Sequence, residues 1–327
     1  MGSVTPIKGA ARIKEAVFDF FQPRLITEIM GNEPGPFSPR DDRGNKVYWD
    51  TWVKFEIEGI EKLWQIVAKP SGNPAYRPEF VLDLARVHIK CIFRRYSRGD
   101  AIPELGQHFA GLLDAWELSN RLSDEICAQE GVKKCRDWIF ALTDLNHYIW
   151  CFWLVGLALA LEIPDNQWQR LLALIGSEGE DALLDRIIAS REPGRKIGQK
   201  LLHSKPYSRL LKAINAPKDQ QALLLKEFVD HWYAELDRPK KRGADPVYYR
   251  PFWYDYGDEN FEGGSYFGRW CIEAVATVKA FGLDDSLCLG HEHYPGDLLR
   301  PDGPTTHPQR NEPKTSFWTK LFGKKSG

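Results

Sequence analysis

Apolar residues return every three or four positions along almost the whole chain, and runs of strict alternation bounded by turn residues are scarce. That period predicts an all-α protein, a helical bundle without extended sheet. Helices are expected over residues 10–30, with Ile13, Val17, Phe20 and Leu25 on one face and Pro23 as a bend, then over 47–68, 78–98 and 102–122. The second carries Trp49, Trp52, Phe55, Ile60 and Leu63 as a stripe; the third carries Phe80, Leu84, Val87 and Cys91. A long apolar helix follows over 133–161, ended by Pro164 because proline cannot continue the hydrogen-bond ladder. Shorter helices are expected over 166–175, 181–189, 207–214 and 219–236.

Residues 237–264 are rich in Pro, Gly and aromatics and read as a long pinned connection. Beyond it Phe267, Trp270, Cys271, Ala274, Val275, Val278 and Phe281 keep the 3.6-residue period, and Gly282 stands where a left-handed cap is wanted. Within that expected helix Arg269, Glu273 and Thr277 share one stripe, so an internal ion pair or hydrogen-bond network is anticipated for the buried Glu273. No repeat period survives inspection. The organisation expected is an N-terminal helical region 1–130, a C-terminal helical region 131–301 divided from it near Gly131, and a flexible tail 302–327. SFWTKLFGKK in that tail is too short an apolar face for stable membrane association.

Composition changes this picture little. With 327 residues, 43% of them hydrophobic, the chain buries a core without help from metal or disulfides, and a net charge of -1 implies no direct nucleic-acid partner. The six cysteines form no CxxC pair and read as free core thiols. The N-terminus has no apolar stretch of signal-peptide length, and the uncharged run 145–161 reads as a central buried helix rather than a span; a cytoplasmic location follows.

Candidate chemistry is sparse. GxxxxGK[ST], GxSxG and HExxH are absent from the sequence. Cys288, His291 and His293 could ligate zinc in a metal-dependent enzyme, although a fourth ligand is not indicated. Asp284 and Asp285 are suited to capping the short turn SLCLG. Charge distribution is more informative: between residues 255 and 297 Asp255, Asp258, Glu259, Glu262, Glu273, Asp284, Asp285, Glu292 and Asp297 oppose only Arg269 and Lys279, with Trp253, Tyr254, Tyr256, Phe261, Tyr266 and Tyr294 interleaved. Such a face is suited to a basic protein partner. Residues 191–212 are conversely basic, with Arg191, Arg195, Lys196, Lys200, Lys205, Arg209 and Lys212 against Glu192.

YFGRWCIEAVATVKAFGLDDSLCLGHEHYPGDL, an aromatic-Gly-x-Trp segment with an internal Glu, a DD turn and a YPxDL close, resembles the C-terminal part of PoNi-type immunity proteins. RRYSRGDAIPELGQHF resembles a segment of that family's N-terminal half. Arg269, His291 and His293 depart from the pattern. The resemblance implies a helical antitoxin without catalytic residues or cofactor, which binds a PoNe-type DNase toxin used in interbacterial competition. Tyr96, Gly99, Gly268, Trp270 and Glu273 would then be structural, and Asp255, Asp258, Glu259, Glu262, Asp284, Asp285, Glu292, Tyr294 and Asp297 would lie near or on the docking surface. A helical scaffold for an unrelated partner is the alternative of the same class.

Overall fold

The computed structural model describes residues 39–70, 72–131, 141–239, 250–258, 261 and 263–308. The helix expected over 10–30, Cys135, Glu259, Glu262 and the SFWTKLFGKK segment lie outside them. The described chain is helical throughout, without a strand: α1 (Lys46–Val67), α2 (Arg77–Arg98), α3 (Ile102–Leu105), α4 (Gln107–Glu130), α5 (Leu145–Ala160), α6 (Asp165–Ile175), α7 (Leu184–Ala189), α8 (Ser204–Asn215), α9 (Lys218–Leu236) and α10 (Ile272–Phe281). Short 3-10 turns follow at Ser286–Cys288 and Gly296–Leu299.

Local signals set most boundaries. Asn45 caps α1 by accepting the Tyr48 amide, and Gly99 and Gly131 end α2 and α4 in the left-handed conformation that glycine adopts without a Cβ penalty. The long helix expected over 133–161 starts instead at Leu145, because the Asp144 carboxylate accepts the Asn146 and His147 amides and fixes an N-terminus there.

The N-terminal layer packs α2 against α1 and α4, and the C-terminal layer pairs α8 with α9. Between them α5, buried along nearly its whole length, packs on α10. The two approach closely because Gly156 faces α10: a Cβ there would lie 2.5 Å from Ile272 Cγ2. One continuous apolar core runs through both layers, and a smaller aromatic cluster of Tyr48, Trp49, Trp52 and Tyr266 sits under α1. Among the described residues no helix is long and apolar enough to cross a membrane. Cys91, Cys151, Cys271 and Cys288 are buried free thiols as expected, whereas Cys127 is disulfide-bonded, a departure from that expectation.

The last helix corrects the sequence reading. It begins at Ile272, so Phe267, Arg269 and Trp270 precede it in irregular chain. Gly268, with φ +106°, breaks the helical path, and the Cys271 amide donates to the His293 carbonyl rather than into a helical ladder. Arg269 therefore does not pair with Glu273.

Residues 302–308, the described part of the expected flexible tail, are held to the fold. Thr305 Oγ1, Thr306 N and Thr306 Oγ1 donate to the Asp297 carboxylate at 2.8, 2.6 and 2.7 Å, and His307 is buried with its Nε2 2.8 Å from Tyr96 Oη. Truncation after Pro301 strips these partners from a buried carboxylate and is expected to cost on the order of 2 kcal/mol or more, read from the urea midpoint.

Candidate functional site

The two sequence segments that carry the family resemblance meet in space. Tyr96 and Ser97 lie in the last turn of α2, and Trp270 Nε1 donates to Ser97 Oγ at 2.8 Å. The Trp270 ring stands edge-on to Tyr96, with centroids 5.1 Å apart, and His307 closes the group at 5.1 Å from Trp270. Gly268 is required by this approach as well as by its φ, since a Cβ would meet Trp270 Nε1 and lie 2.5 Å from Ser97 Oγ.

Asp297 extends the junction. Its carboxylate, 3% exposed, accepts Arg40 Nε at 2.5 Å, while Arg40 Nη1 donates to the Tyr96 and Asp100 carbonyls. Burial raises the Asp297 carboxyl, but hydrogen bonds from Thr306 and the charge of Arg40 outweigh it and hold the group below the usual carboxylate range. Asp285 is likewise enclosed, paired with Arg300 at 2.5 Å and accepting Tyr294 Oη at 2.6 Å. Tyr294 is fully buried. These three side chains are used inside the fold, which takes them off the surface where the sequence placed them and makes them fasteners of the 285–306 segment.

Glu273 is also enclosed. Its Oε1 accepts Tyr207 Oη at 2.8 Å and Trp232 Nε1 at 3.3 Å, Oε2 has no hydrogen-bond partner among the described residues, and burial pushes the carboxyl up to about 7. Thr277 Oγ1 donates to the Glu273 carbonyl, an ordinary bond within the helix. The carboxyl thus works as a core hydrogen-bond acceptor, its two partners being groups that anchor α8 and α9 to α10.

The remaining acids reach solvent. Asp258 and Glu292 are 55% and 66% exposed and flank Arg43, which lies 3.8 Å from the first and 3.3 Å from the second. Arg269, stacked over the Tyr233 ring, holds Asp258 from beneath at 2.6 Å. Arg43, Arg269 and Glu292 border a polar recess of about 160 Å³, lined also by Asp41, His293 and His307. Asp255 pairs with Arg250 at 2.7 Å, and exposed Asp284 accepts the Ser286 amide at 2.9 Å, the capping role expected of it. The excess of acids counted along 255–297 is therefore reduced in space by Arg40, Arg43, Arg250 and Arg300, which arrive from outside that window or from its rim.

The basic stretch is divided in the same way. Arg195 is buried against Asp185 at 2.7 Å, and Arg191 and Arg209 pair with Asp165 and Glu227, while Lys196, Lys200, Lys205 and Lys212 are exposed.

The zinc reading finds no support in the geometry. Burial pushes the Cys288 thiol up to about 12, and His293 is held by its Nδ1 against the Arg269 carbonyl at 3.0 Å, with burial lowering it to about 4. His291 Nδ1 accepts the His293 amide at 3.1 Å. Among the described residues no group of three His, Cys, Asp or Glu side chains is placed to hold a metal ion.

Sequence reasoning missed Arg40, Arg43 and Arg300, the cations that organise these acids. No local pattern marks them: Arg40 and Asp297 are separated by 257 residues. It also missed exposed Leu223, Leu287 and Leu289, which helical periodicity cannot distinguish from core.

Comparison with known proteins accords with this geometry. A solved structure, "The Crystal Structure of Protein PA2201 from Pseudomonas aeruginosa", is similar in fold, with a TM-score of 0.59 and 18% identity over 81% of this chain and 90% of that one. No curated protein matches the chain. The family model for the N-terminal part of PoNe immunity proteins matches residues 40–173, and that for the C-terminal part matches residues 179–298. The two meet at the C-terminal end of α6, C-terminal of the division expected near Gly131, and the Tyr96–Trp270 contact joins one to the other. Matched in order over most of its length by both halves of one family, and with the residues of the two halves interlocked, the chain belongs to the PoNe immunity protein (PoNi) family.

Proposed function

We propose that this immunity protein binds a PoNe-type DNase toxin and neutralises it by protein–protein contact, in the cytoplasm, where such a toxin would reach DNA. The observation that carries the reading is the match to both halves of the family over residues 40–173 and 179–298. The surface is compatible with it. A DNA-binding enzyme needs a basic face, and Asp255, Asp258, Asp284 and Glu292 place carboxylates at the surface of the C-terminal segment. Burial at Glu292 is outweighed by the Arg43 guanidinium 3.3 Å away, and its carboxyl lies below the usual range.

Because Asp258 is braced by buried Arg269, charge reversal is best confined to Asp255, Asp284 and Glu292. Converting these three to lysine is expected to slow association with the toxin about tenfold at low salt, with a much smaller effect at high salt, and to leave the melting temperature within about 2 °C of the parent. Stopped-flow association and thermal melts supply both measurements. Association at the parent rate in low salt overturns the acidic docking face; failure to protect cells co-expressing the toxin overturns the immunity reading itself.

A further inference from the structure

The family segment leaves a second surface feature that charge alone does not explain. The 3-10 turn Ser286–Cys288 packs against α9. Cys288 points inward at 1% exposure, within electrostatic reach of Asp230 and Lys226 on α9. Its two neighbours do the opposite: Leu287 and Leu289 are 49% and 39% exposed. On α9, Leu223 is 64% exposed and stands one turn before Lys226 and two before Asp230, on the helical face that carries both. Three leucines thus border one seam. Around them lie Asp284, with no cation at ion-pair distance among the described residues, Asp230, which bonds Lys226 and faces His291, and Glu292, 66% exposed and 3.3 Å from Arg43.

We propose that this α9–turn seam is the apolar centre of the surface that docks the basic toxin, with Leu223, Leu287 and Leu289 as anchors and Asp284, Asp230 and Glu292 as its acidic rim. The proposal rests on the immunity reading and specifies the site at which it is carried out. An apolar patch within a polar rim is the usual anatomy of a protein interface, and the acids select the occupant. In a two-fold pairing of this chain with itself the same patch meets its own image, so the Asp284 carboxylates of two copies would be brought toward one another. An anionic lipid surface is opposed by the same rim. A basic protein face with an apolar knob satisfies both parts: acids govern encounter, and buried leucines govern residence.

The division of labour is testable with the full chain and a cognate PoNe-type toxin, catalytically inactivated and captured on a biosensor surface. Leu287→Asp and Leu223→Asp, and the uncharged, steric Ser286→Gln at an exposed position, are expected to weaken binding on the order of 30-fold through faster dissociation, without lowering the melting temperature. Asp284→Lys is expected to change mainly the association rate. Parent-like dissociation of the leucine and Ser286 variants, with the parent itself binding, overturns the seam while leaving the immunity reading intact. A parent chain that does not bind the toxin removes the reading and the seam with it. A dimer of the chain that Leu287→Asp splits assigns the patch to a second copy and likewise overturns the proposal.

Discussion

Gly268→Ala is expected to destabilise the protein by about 3 kcal/mol or more, seen as a lower urea midpoint at unchanged slope. Two costs combine. The residue sits at φ +106°, where an L side chain is strained, and its new methyl group would collide with Trp270 and Ser97. Neither neighbour yields easily, because Trp270 is wedged between Tyr96 and His307 while Ser97 is buried at the end of α2. The comparison that isolates the collision is Gly131→Ala: its φ is +65°, but no atom of the described residues lies within 4 Å of an added Cβ. That variant should lose only the conformational part, about 1–2 kcal/mol. Since native stability is commonly about 5–15 kcal/mol, the larger loss would lower the folded population in a cell and with it protection, without touching any docking residue. Equal midpoints for the two variants would show that the 268–270 approach does not hold the two family halves together.

The contrast between Gly268 and Asp297 shows what the sequence makes legible. The helical period identified the bundle, and the Tyr96, Gly268 and Trp270 positions stood out as one family's pattern, because local propensity and motif spacing are written along the chain. What a carboxylate does is decided by what arrives from elsewhere. Asp297 and Asp285 read as surface acids until Arg40 and Arg300 enclose them, whereas Asp284, one residue from Asp285, stays in solvent as a cap. The start of α10 was obscured for a related reason: Phe267, Trp270 and Cys271 keep helical spacing by chance while a positive-φ glycine and a long-range bond to His293 hold them out of the helix. Hydrophobic period predicts burial there correctly and conformation wrongly.

Glu273→Gln is expected to change how stability depends on pH. The carboxyl sits in the core, and burial is the chief cause that raises it in the folded chain to about 7 from the 4.5 of an ordinary glutamate. Between those values the folded chain holds a proton that the unfolded chain has released, so the parent's stability declines as pH rises from about 4.5 and levels off above about 7. The shift corresponds to roughly 3 kcal/mol across that window. Glutamine cannot ionise, and its oxygen is able to accept the bonds from Tyr207 and Trp232 that Oε1 accepts now. Relative to the parent, the variant should therefore gain about 3 kcal/mol between about pH 4.5 and pH 8, whatever the fixed cost or benefit of the amide at any single pH. Taking the difference cancels groups that titrate alike in both proteins, and the tyrosine and thiol beside Glu273, Tyr207 and Cys271, are pushed upward by burial, out of this range. Urea titrations of both proteins at half-unit pH intervals measure the gain directly; parallel curves across that range would mean that Glu273 is ionised throughout in the folded core.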